Sequence, residues 1–332
     1  MRHLNKFLVA VAAVVTAAWA QAPQQAPPDD AIPNFTTETR VVNLPVTILD
    51  RDGKLVIDIP RENFRVLENN VEQQIKTFRR EDVPVSMCVI IDSSGSMKDR
   101  HSSVVAAAIA MVRASNPEDE VCFINFNDTA ILEQPFTNDI NKLEEAMEAI
   151  DSRGGTAMRN AVSAAIDYVK EKAKLDKKVL VVVTDGNDNA SNETSLEQLV
   201  RLVHDTEVLV YTIGLLNDEE RSEARKAHRA LDDLTEASGG YAYYPKDLAE
   251  VEKITPQIAR EIRNQYLITY TPLNGVLDGS YRKIKVELKS APRGAVVRTR
   301  SGYYAGGGPG ALRTNVPARP GGAAQTGGAA QR

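Results

Sequence analysis

Apolar runs alternate with segments of helical periodicity between residues 83 and 263. Short apolar runs predict buried strands, and longer segments with apolar residues every three or four positions predict amphipathic helices. We predict strands at residues 85–91, 120–126, 130–133, 178–184, 207–213 and 241–244, and helices at about 102–114, 140–150, 157–173, 195–205, 219–237 and 248–263. This order predicts an α/β fold, with a Rossmann-like doubly wound, mostly parallel sheet covered by helices on both faces.

Strand-like alternation flanks this region on both sides. Residues 39–82 contain β-rich runs at 41–49, 55–59, 64–67 and 71–75, and residues 264–305 contain alternating runs at 265–271, 281–289 and 296–304. Pro45 predicts an edge strand or a bulge in the first run. Because neither flank can bury a core alone, we expect them to pair into one small β-sandwich-like unit in which the α/β domain, residues 83–263, is inserted.

The two ends of the chain differ in composition from the region between them. Residues 1–20 carry Arg2 and Lys6, an apolar stretch and a final Ala-Trp-Ala, which is typical of a secretory signal peptide cleaved after Ala20. An uncleaved membrane anchor is the alternative, but the apolar stretch is shorter than the ~20 residues that a spanning helix needs. The composition of residues 21–38 predicts a flexible linker, and that of residues 306–332 predicts a disordered tail. We therefore expect a protein that is secreted or that resides in the periplasm or cell envelope.

Charge and cysteine content exclude several classes of protein. The 332 residues carry a net charge of −5, with acidic and basic residues interspersed and no basic patch of the kind that binds nucleic acid. No segment after residue 20 is apolar enough to predict stable membrane insertion. Cys88 and Cys122 are the two cysteines, too few for a disulfide scaffold. Buried free thiols are favoured over a bond between them, although neighbouring strands would allow one.

Oxygen-bearing side chains occur in three predicted loops, two of which follow strands and one of which precedes a helix. Asp92, Ser94 and Ser96 come directly after the strand at 85–91, Thr156 follows paired glycines before a helix, and Asp185 follows the strand at 178–184. Ligands of open α/β sheets bind at the carboxyl ends of the strands, so we expect these side chains to lie at one edge. An oxygen-only set suits Mg²⁺, with Mn²⁺ or Ca²⁺ as alternatives.

Each of these features also has a structural interpretation. The cluster at residues 92–96 could be a loop of turn formers and caps, and Thr156 could cap the helix that follows it. Asn187 and Asp188 fit a solvated loop better than an outer rim of the site. His101 is better explained as a residue on a surface helix than as a ligand.

The three motifs together resemble the metal-ion-dependent adhesion site of von Willebrand factor type A domains. The resemblance covers residues 83–263, and the flanks resemble those of a bacterial family described as acidobacterial VWFA-related, with Arg300-Ser301-Gly302-Tyr303-Tyr304 as its closing stretch. It implies that Ser94, Ser96 and Thr156 coordinate the metal directly or through water, while Asp92 and Asp185 mainly hold the metal-bound waters. It also implies that an Asp or Glu carboxylate of a partner protein completes the site.

The sequence favours a binding protein over an enzyme. It contains no Gly-x-Ser-x-Gly elbow, no His-Glu-x-x-His helix and no Walker-type phosphate loop. A metal-assisted hydrolase would need turnover that depends on Ser96, and we expect none. The main hypothesis is an exported, metal-dependent interaction protein, and the alternative is a cell-envelope scaffold or assembly subunit with a structural metal. No particular oligomeric state is predicted.

Overall fold

The computed structural model describes residues 41–80, 82–186, 188–218 and 220–306. The predicted signal peptide, the linker and the predicted tail beyond residue 306 lie outside these described residues. Within them, no helix combines the length and the apolar character needed to cross a membrane.

The described secondary structure runs as strands, then alternating strands and helices, then strands. The first flank forms β1 (Val42–Leu49), β2 (Phe64–Glu68), β3 (Val71–Gln73) and β4 (Ile75–Arg80). The strands of the middle region are β5 (Val85–Asp92), β6 (Glu120–Phe126), β7 (Ala130–Thr137), β8 (Lys177–Thr184), β9 (Val208–Gly214) and β10 (Ala242–Tyr243). The helices are α1 (His101–Arg113), α2 (Ile140–Glu148), α3 (Met158–Lys172), α4 (Leu196–His204), α5 (Arg221–Ser238) and α6 (Leu248–Arg263). The second flank forms β11 (Tyr266–Tyr270), β12 (Tyr281–Leu288), β13 (Val296–Arg298) and β14 (Gly302–Tyr304).

A six-stranded sheet with the order β10-β9-β8-β5-β6-β7 forms the centre of the α/β region. Neighbouring strands are parallel except β7, which runs antiparallel to β6. Side chains of β5 alternate between two cores, because Val89 and Ile91 join one cluster while Cys88 and Ile90 join the other. Residues of α1 and α6 contribute to the first core, and residues of α3 and α4 to the second. The predicted α/β fold with helices on both faces of a mostly parallel sheet is therefore confirmed.

Strands from both flanks build two further four-stranded antiparallel sheets, with the orders β13-β1-β11-β4 and β14-β12-β2-β3. The first sheet places β11 between β1 and β4, and the second pairs β12 with β2. Side chains of both sheets share one core, which includes Leu44, Phe64, Ile268 and Ile284. The two flanks thus form the expected β-sandwich-like unit, and the α/β region is inserted between them.

The predicted strand at residues 296–304 is wrong as a single element. Its first part, β13, pairs with β1, whereas its last part, β14, pairs with β12 in the other sheet. The residues between them turn towards the α/β region, where the Ser301 backbone N–H donates to the Glu236 carbonyl at the end of α5 (3.2 Å). The predicted strand at 55–59 is also wrong, since it is reduced to one bridge between Leu55 and Leu49.

Pro45 lies in β1, which is an interior strand, so the prediction of an edge strand is wrong for β1 as a whole. However, β13 pairs only with Thr47 to Leu49, whereas β11 pairs with Val42 to Val46. Pro45 therefore lies where one side of β1 has no ladder partner, and a residue without an N–H is tolerated there.

The two cysteines occupy paired positions on neighbouring strands. Cys88 of β5 stands in register with Cys122 of β6. Both thiols are buried and free, and burial raises the pKa of the Cys122 thiol well above its ordinary value. This agrees with the prediction of buried free thiols.

Candidate metal centre

Three loops meet at the carboxyl edge of the six-stranded sheet. The strand order reverses between β5 and β8, because the chain continues from β5 to β6 on one side and from β8 to β9 and β10 on the other. Such a reversal leaves a crevice between the loops that follow the two strands. Asp92 ends β5 and Asp185 directly follows β8, so each strand brings one carboxylate to this crevice.

Asp92 is fully buried, and its two oxygens accept hydrogen bonds from the loop that follows β5 and from the end of β8. Oδ1 accepts the Ser94 backbone N–H at 2.9 Å, and Oδ2 accepts the Thr184 hydroxyl at 2.7 Å. Burial and the nearby charge of Asp185 raise the pKa of Asp92 from 3.8 to about 6, against the opposing effect of these hydrogen bonds. Thr184, which the sequence reasoning did not assign to the site, therefore fixes the direction of this carboxylate. Its only signal in the sequence was its place directly before Asp185.

Asp185 is the unusual group of the site. Its side chain is 0% exposed, and neither carboxylate oxygen has a hydrogen-bond partner within the described residues. A buried, unpaired carboxylate costs several kcal/mol unless a cation or a proton neutralises it. The neighbouring Asp92 makes this cost larger, because the two carboxylates repel each other.

The hydroxyls of Ser94 and Ser96 lie together on one side of their loop. A single 3-10 turn, Gly95–Met97, brings the two oxygens to 3.1 Å from each other. Ser93 is directed to the other side, where its hydroxyl donates to the Asn125 side chain and to a backbone carbonyl of β6. Ser94 is buried and Ser96 is exposed, so the pair extends from the crevice to solvent.

Thr156 is buried, and hydrogen bonds connect its loop to the other two. On one side, the Gly95 N–H donates to the Gly154 carbonyl at 3.1 Å. On the other, the Thr156 N–H donates to the Asn189 side-chain oxygen at 2.9 Å, and the Asn189 N–H donates back to the Thr156 carbonyl. The loops that carry the five predicted residues therefore form one connected network.

Gly155 lets this loop approach its neighbours closely. A Cβ at this position would lie 2.8 Å from both the Asn189 Oδ1 and the Asp128 Oδ1, and the Gly155 N–H donates to that Asp128 oxygen at 2.9 Å. Asp128 and Asn189 thus position the Thr156 loop. Sequence reasoning missed both, because neither belongs to a recognisable motif and their roles depend on contacts between distant loops.

Asp188 differs from its predicted role. The Asp188 side chain is only 7% exposed, accepts the Arg159 N–H at 2.9 Å and forms an ion pair with the Arg159 guanidinium at 3.4 Å, so it is not a solvated loop residue. Asn187 lies outside the described residues. His101 begins α1 and is partly buried, and this burial lowers the pKa of its imidazole.

The donor set suits a hard cation. Within the described residues, no three His, Cys, Asp or Glu side chains cluster as a metal site, so this centre combines two carboxylates with three hydroxyls. Oxygen donors of this kind match Mg²⁺, Mn²⁺ and Ca²⁺. The Asp185 carboxylate also fits a cation, because it is buried and no described group donates a hydrogen bond to it.

Comparisons with known proteins bear on the same region. Residues 87–187 match the family model described as von Willebrand factor type A domain. The chain is 26% identical over 137 residues to an uncharacterized protein of Synechocystis sp., covering 40% of this chain and 32% of that protein. It is 24% identical over 188 residues to an uncharacterized protein of Borreliella burgdorferi, covering 56% of this chain and 53% of that protein. The chain thus spans 32% and 53% of the length of these two curated relatives.

One similar solved structure is described as von Willebrand factor type A from Catenulispora acidiphila. It aligns with a TM-score of 0.47 and 14% sequence identity over 82% of this chain and 74% of that chain.

Proposed function

Because the α/β region of this chain contains a von Willebrand factor type A domain, we propose that the protein is an exported module that binds other proteins through a divalent metal ion. In this proposal Asp92, Ser94, Ser96, Thr156 and Asp185 hold Mg²⁺, with Mn²⁺ or Ca²⁺ as alternatives. An Asp or Glu carboxylate of the partner protein completes the coordination. The module binds and does not catalyse a reaction.

The Asp185 carboxylate is the observation that carries this proposal. It is buried next to a second carboxylate and has no hydrogen-bond partner within the part of the chain that the structure describes. Evolution of a stable fold would favour an apolar or paired residue at such a position unless a ligand supplied the missing charge. A bound divalent cation supplies two positive charges, which balance Asp92 and Asp185.

The exposure of Ser96 supports an open site rather than a closed one. Ser94 is buried while Ser96 reaches solvent, so a carboxylate from another molecule can approach along the serine side of the crevice. The three hydroxyl donors are neutral, so they leave the ion more attractive to a further anion than additional protein carboxylates would.

A metal-binding experiment tests the site itself. We expect Mn²⁺ to bind the purified chain in an electron paramagnetic resonance titration and Mg²⁺ to compete with it. Ser96→Ala should weaken this binding at least ~10-fold if the hydroxyl is a ligand. Ser102→Ala changes an exposed serine of α1 outside the site and is the matched control. Equal Mn²⁺ affinity in wild type and Ser96→Ala would contradict the assignment.

A binding experiment tests the function. Partner proteins captured by the immobilised chain in Mg²⁺ should elute with EDTA and should not be captured by Ser96→Ala. Capture that resists EDTA, and that Ser96→Ala retains, would contradict a metal-bridged interaction.

A scaffold with a structural metal is the competing function. The full burial of Asp92 and Asp185 is consistent with a metal whose role is to stabilise the fold. Neutralising two buried carboxylates stabilises the fold whether or not a partner binds, so an increase in melting temperature with Mg²⁺ is expected for both functions. The two are separated by the partner: only the interaction module loses its partner when the metal is removed at a temperature where the chain stays folded.

A further inference from the structure

A cleft of about 470 Å³ lies beside the candidate metal site, on the side of β9 and β10. Four apolar residues line it together with two cationic residues, one carboxylate and one amide: Leu215, Pro245, Leu248, Ala249, Arg100, Lys246, Asp247 and Asn217. Clefts of this size and character typically accept apolar groups of ligands.

Two walls of the cleft continue directly from the loops of the metal site. The Leu215 N–H donates to the Thr184 carbonyl at 2.9 Å, and the Thr184 hydroxyl holds Asp92. Arg100 ends the turn that follows Ser96, and its guanidinium donates to the Leu215 carbonyl at 3.4 Å. Leu215 of the cleft is therefore hydrogen-bonded directly to Thr184 of the crevice, so the cleft adjoins the metal site.

The shape of the cleft is fixed by hydrogen bonds that leave part of its apolar lining accessible. The Asn217 amide donates to the carbonyls of Pro245 and Lys246, both at 2.8 Å, and so ties the loop after β9 to the loop before α6. Leu248 is only partly buried and Ala249 is exposed. A preformed cavity of this kind binds a ligand group with little cost of reorganisation.

We infer that this cleft accepts an apolar side chain of the same partner segment that supplies the metal-bound carboxylate. The inference rests on the proposed function and narrows it: the partner carries an exposed acidic segment with an apolar residue at a fixed offset from the metal-binding Asp or Glu. Lys246 is exposed at the rim, and no salt bridge engages its side chain among the described residues. Its positive charge favours segments that carry an acidic residue close to the apolar one.

The test uses a displayed library of ten-residue peptides with a fixed central Asp and random flanking residues. The library is selected on the immobilised full chain in Mg²⁺ and eluted with EDTA. We expect Leu, Ile, Met or Phe to be enriched about tenfold at one offset from the Asp, which is the gain expected from burying one such side chain.

Two variants connect this preference to the cleft. Ala249→Trp fills the opening with a large side chain, and Ala249→Glu places a charge there while suiting the first turn of α6. Both should lose the apolar preference at that offset. Ala106→Trp is the matched control, because Ala106 is an exposed alanine of α1 that does not line the cleft, and it should keep the preference.

The outcomes separate this inference from the function on which it rests. Recovery of peptides without any preferred apolar offset, or an unchanged preference in both Ala249 variants, would overturn the cleft assignment and leave the metal-dependent function standing. If no peptide elutes with EDTA, the proposed function fails, and the cleft assignment fails with it.

Discussion

Two regions of the molecule bury carboxylates to the same degree but treat them differently. At the junction where α6 meets β13, Glu261 is 0% exposed and accepts hydrogen bonds from Arg298 and from the Tyr243 hydroxyl, both at 2.6 Å. At the carboxyl edge of the sheet, Asp185 is also 0% exposed, yet its oxygens have no partner within the described residues. Burial with partners is what a structural ion pair requires, and burial without them leaves a charge available to a ligand.

The positions of Glu261 and Arg298 in the fold explain why their charges have a structural role. Glu261 lies in the inserted α/β region and Arg298 lies in the β-sandwich-like unit, so their ion pair joins the two. The Gln257 amide donates a further hydrogen bond to Glu261 at 3.1 Å. Because both Glu261 oxygens are paired, these contacts fix one arrangement of the two packed units, whereas the Asp185 oxygens have no such partner within the described residues.

Glu261→Gln should have the largest effect on stability of the changes considered. The amide keeps the shape of the side chain but leaves the Arg298 guanidinium buried without its counter-ion, and breaking such a pair costs about 3–5 kcal/mol. Urea unfolding should show this loss in the free energy of unfolding. The double variant Glu261→Gln, Arg298→Met should recover part of it, because no unpaired charge remains.

Glu144→Gln is the matched control for this change. Glu144 pairs with Arg113 at 2.6 Å on the surface, where the arginine side chain is 63% exposed. Water solvates the exposed Arg113 charge that remains after the change, so the loss of stability should be much smaller. Equal losses in the two variants would mean that the burial of Glu261 has no energetic consequence.

Lys177→Met should have the next largest effect, and it acts at the same junction. Lys177 begins β8, is partly buried and donates to the Ile262 carbonyl of α6. Burial lowers the pKa of Lys177 from 10.5 to about 8, although Asp82 and Asp119 oppose this. A depressed lysine pKa means that the native state disfavours the charged form, and the fall from 10.5 to about 8 corresponds to about 3 kcal/mol. Loss of the hydrogen bond to Ile262 offsets about 1 kcal/mol of this, so at pH 7 the methionine variant should be more stable by roughly 2 kcal/mol.

The sign of the pH dependence follows from the same shift. Between pH 8 and 10.5 the native amine is neutral while the unfolded chain still binds a proton, so the free energy of unfolding rises with pH in this window. Wild type should show this rise relative to Lys177→Met between pH 8 and 9.5. Lys178→Met changes the next residue of β8 and is the control. If the rise persists in Lys177→Met, Lys177 is not its source.

Local patterns were sufficient to predict most of the elements. The last helix of the α/β region was predicted at residues 248–263 and is observed at Leu248–Arg263, because its periodicity and its capping residue Asp247 are both local signals. The split of residues 296–304 into β13 and β14 could not be predicted, since both halves alternate in the same way. Their separation depends on the contact of Ser301 with α5, which no local pattern records.

The candidate site shows the same division between local and distant information. The order and the residue types of the three motifs predicted which loops meet at the carboxyl edge of the sheet. The hydrogen bond of Thr184 to Asp92 and the isolation of Asp185 could not be predicted, because they depend on distances between side chains of different loops. Metal binding by these residues stays a prediction. The Asp185→Asn variant tests it, because the isolation of Asp185 is the feature that the sequence did not reveal.

Asp185→Asn should have the smallest effect on stability and the opposite sign to Glu261→Gln. It removes the repulsion between Asp185 and Asp92 without breaking a hydrogen bond, so the free energy of unfolding of the metal-free protein should rise. The rise should be only about 1 kcal/mol, because burial contributes more than this repulsion to the raised pKa of Asp92. Thermal unfolding should also lose most of the increase that Mg²⁺ produces in wild type, because the amide carries no charge for the ion to balance. Asp188→Asn provides the control, since Asp188 is paired with Arg159 and its loss should destabilise the protein with or without Mg²⁺. A loss of stability of the same size in both variants would make Asp185 a structural carboxylate like Glu261, and the contrast between the two regions would disappear.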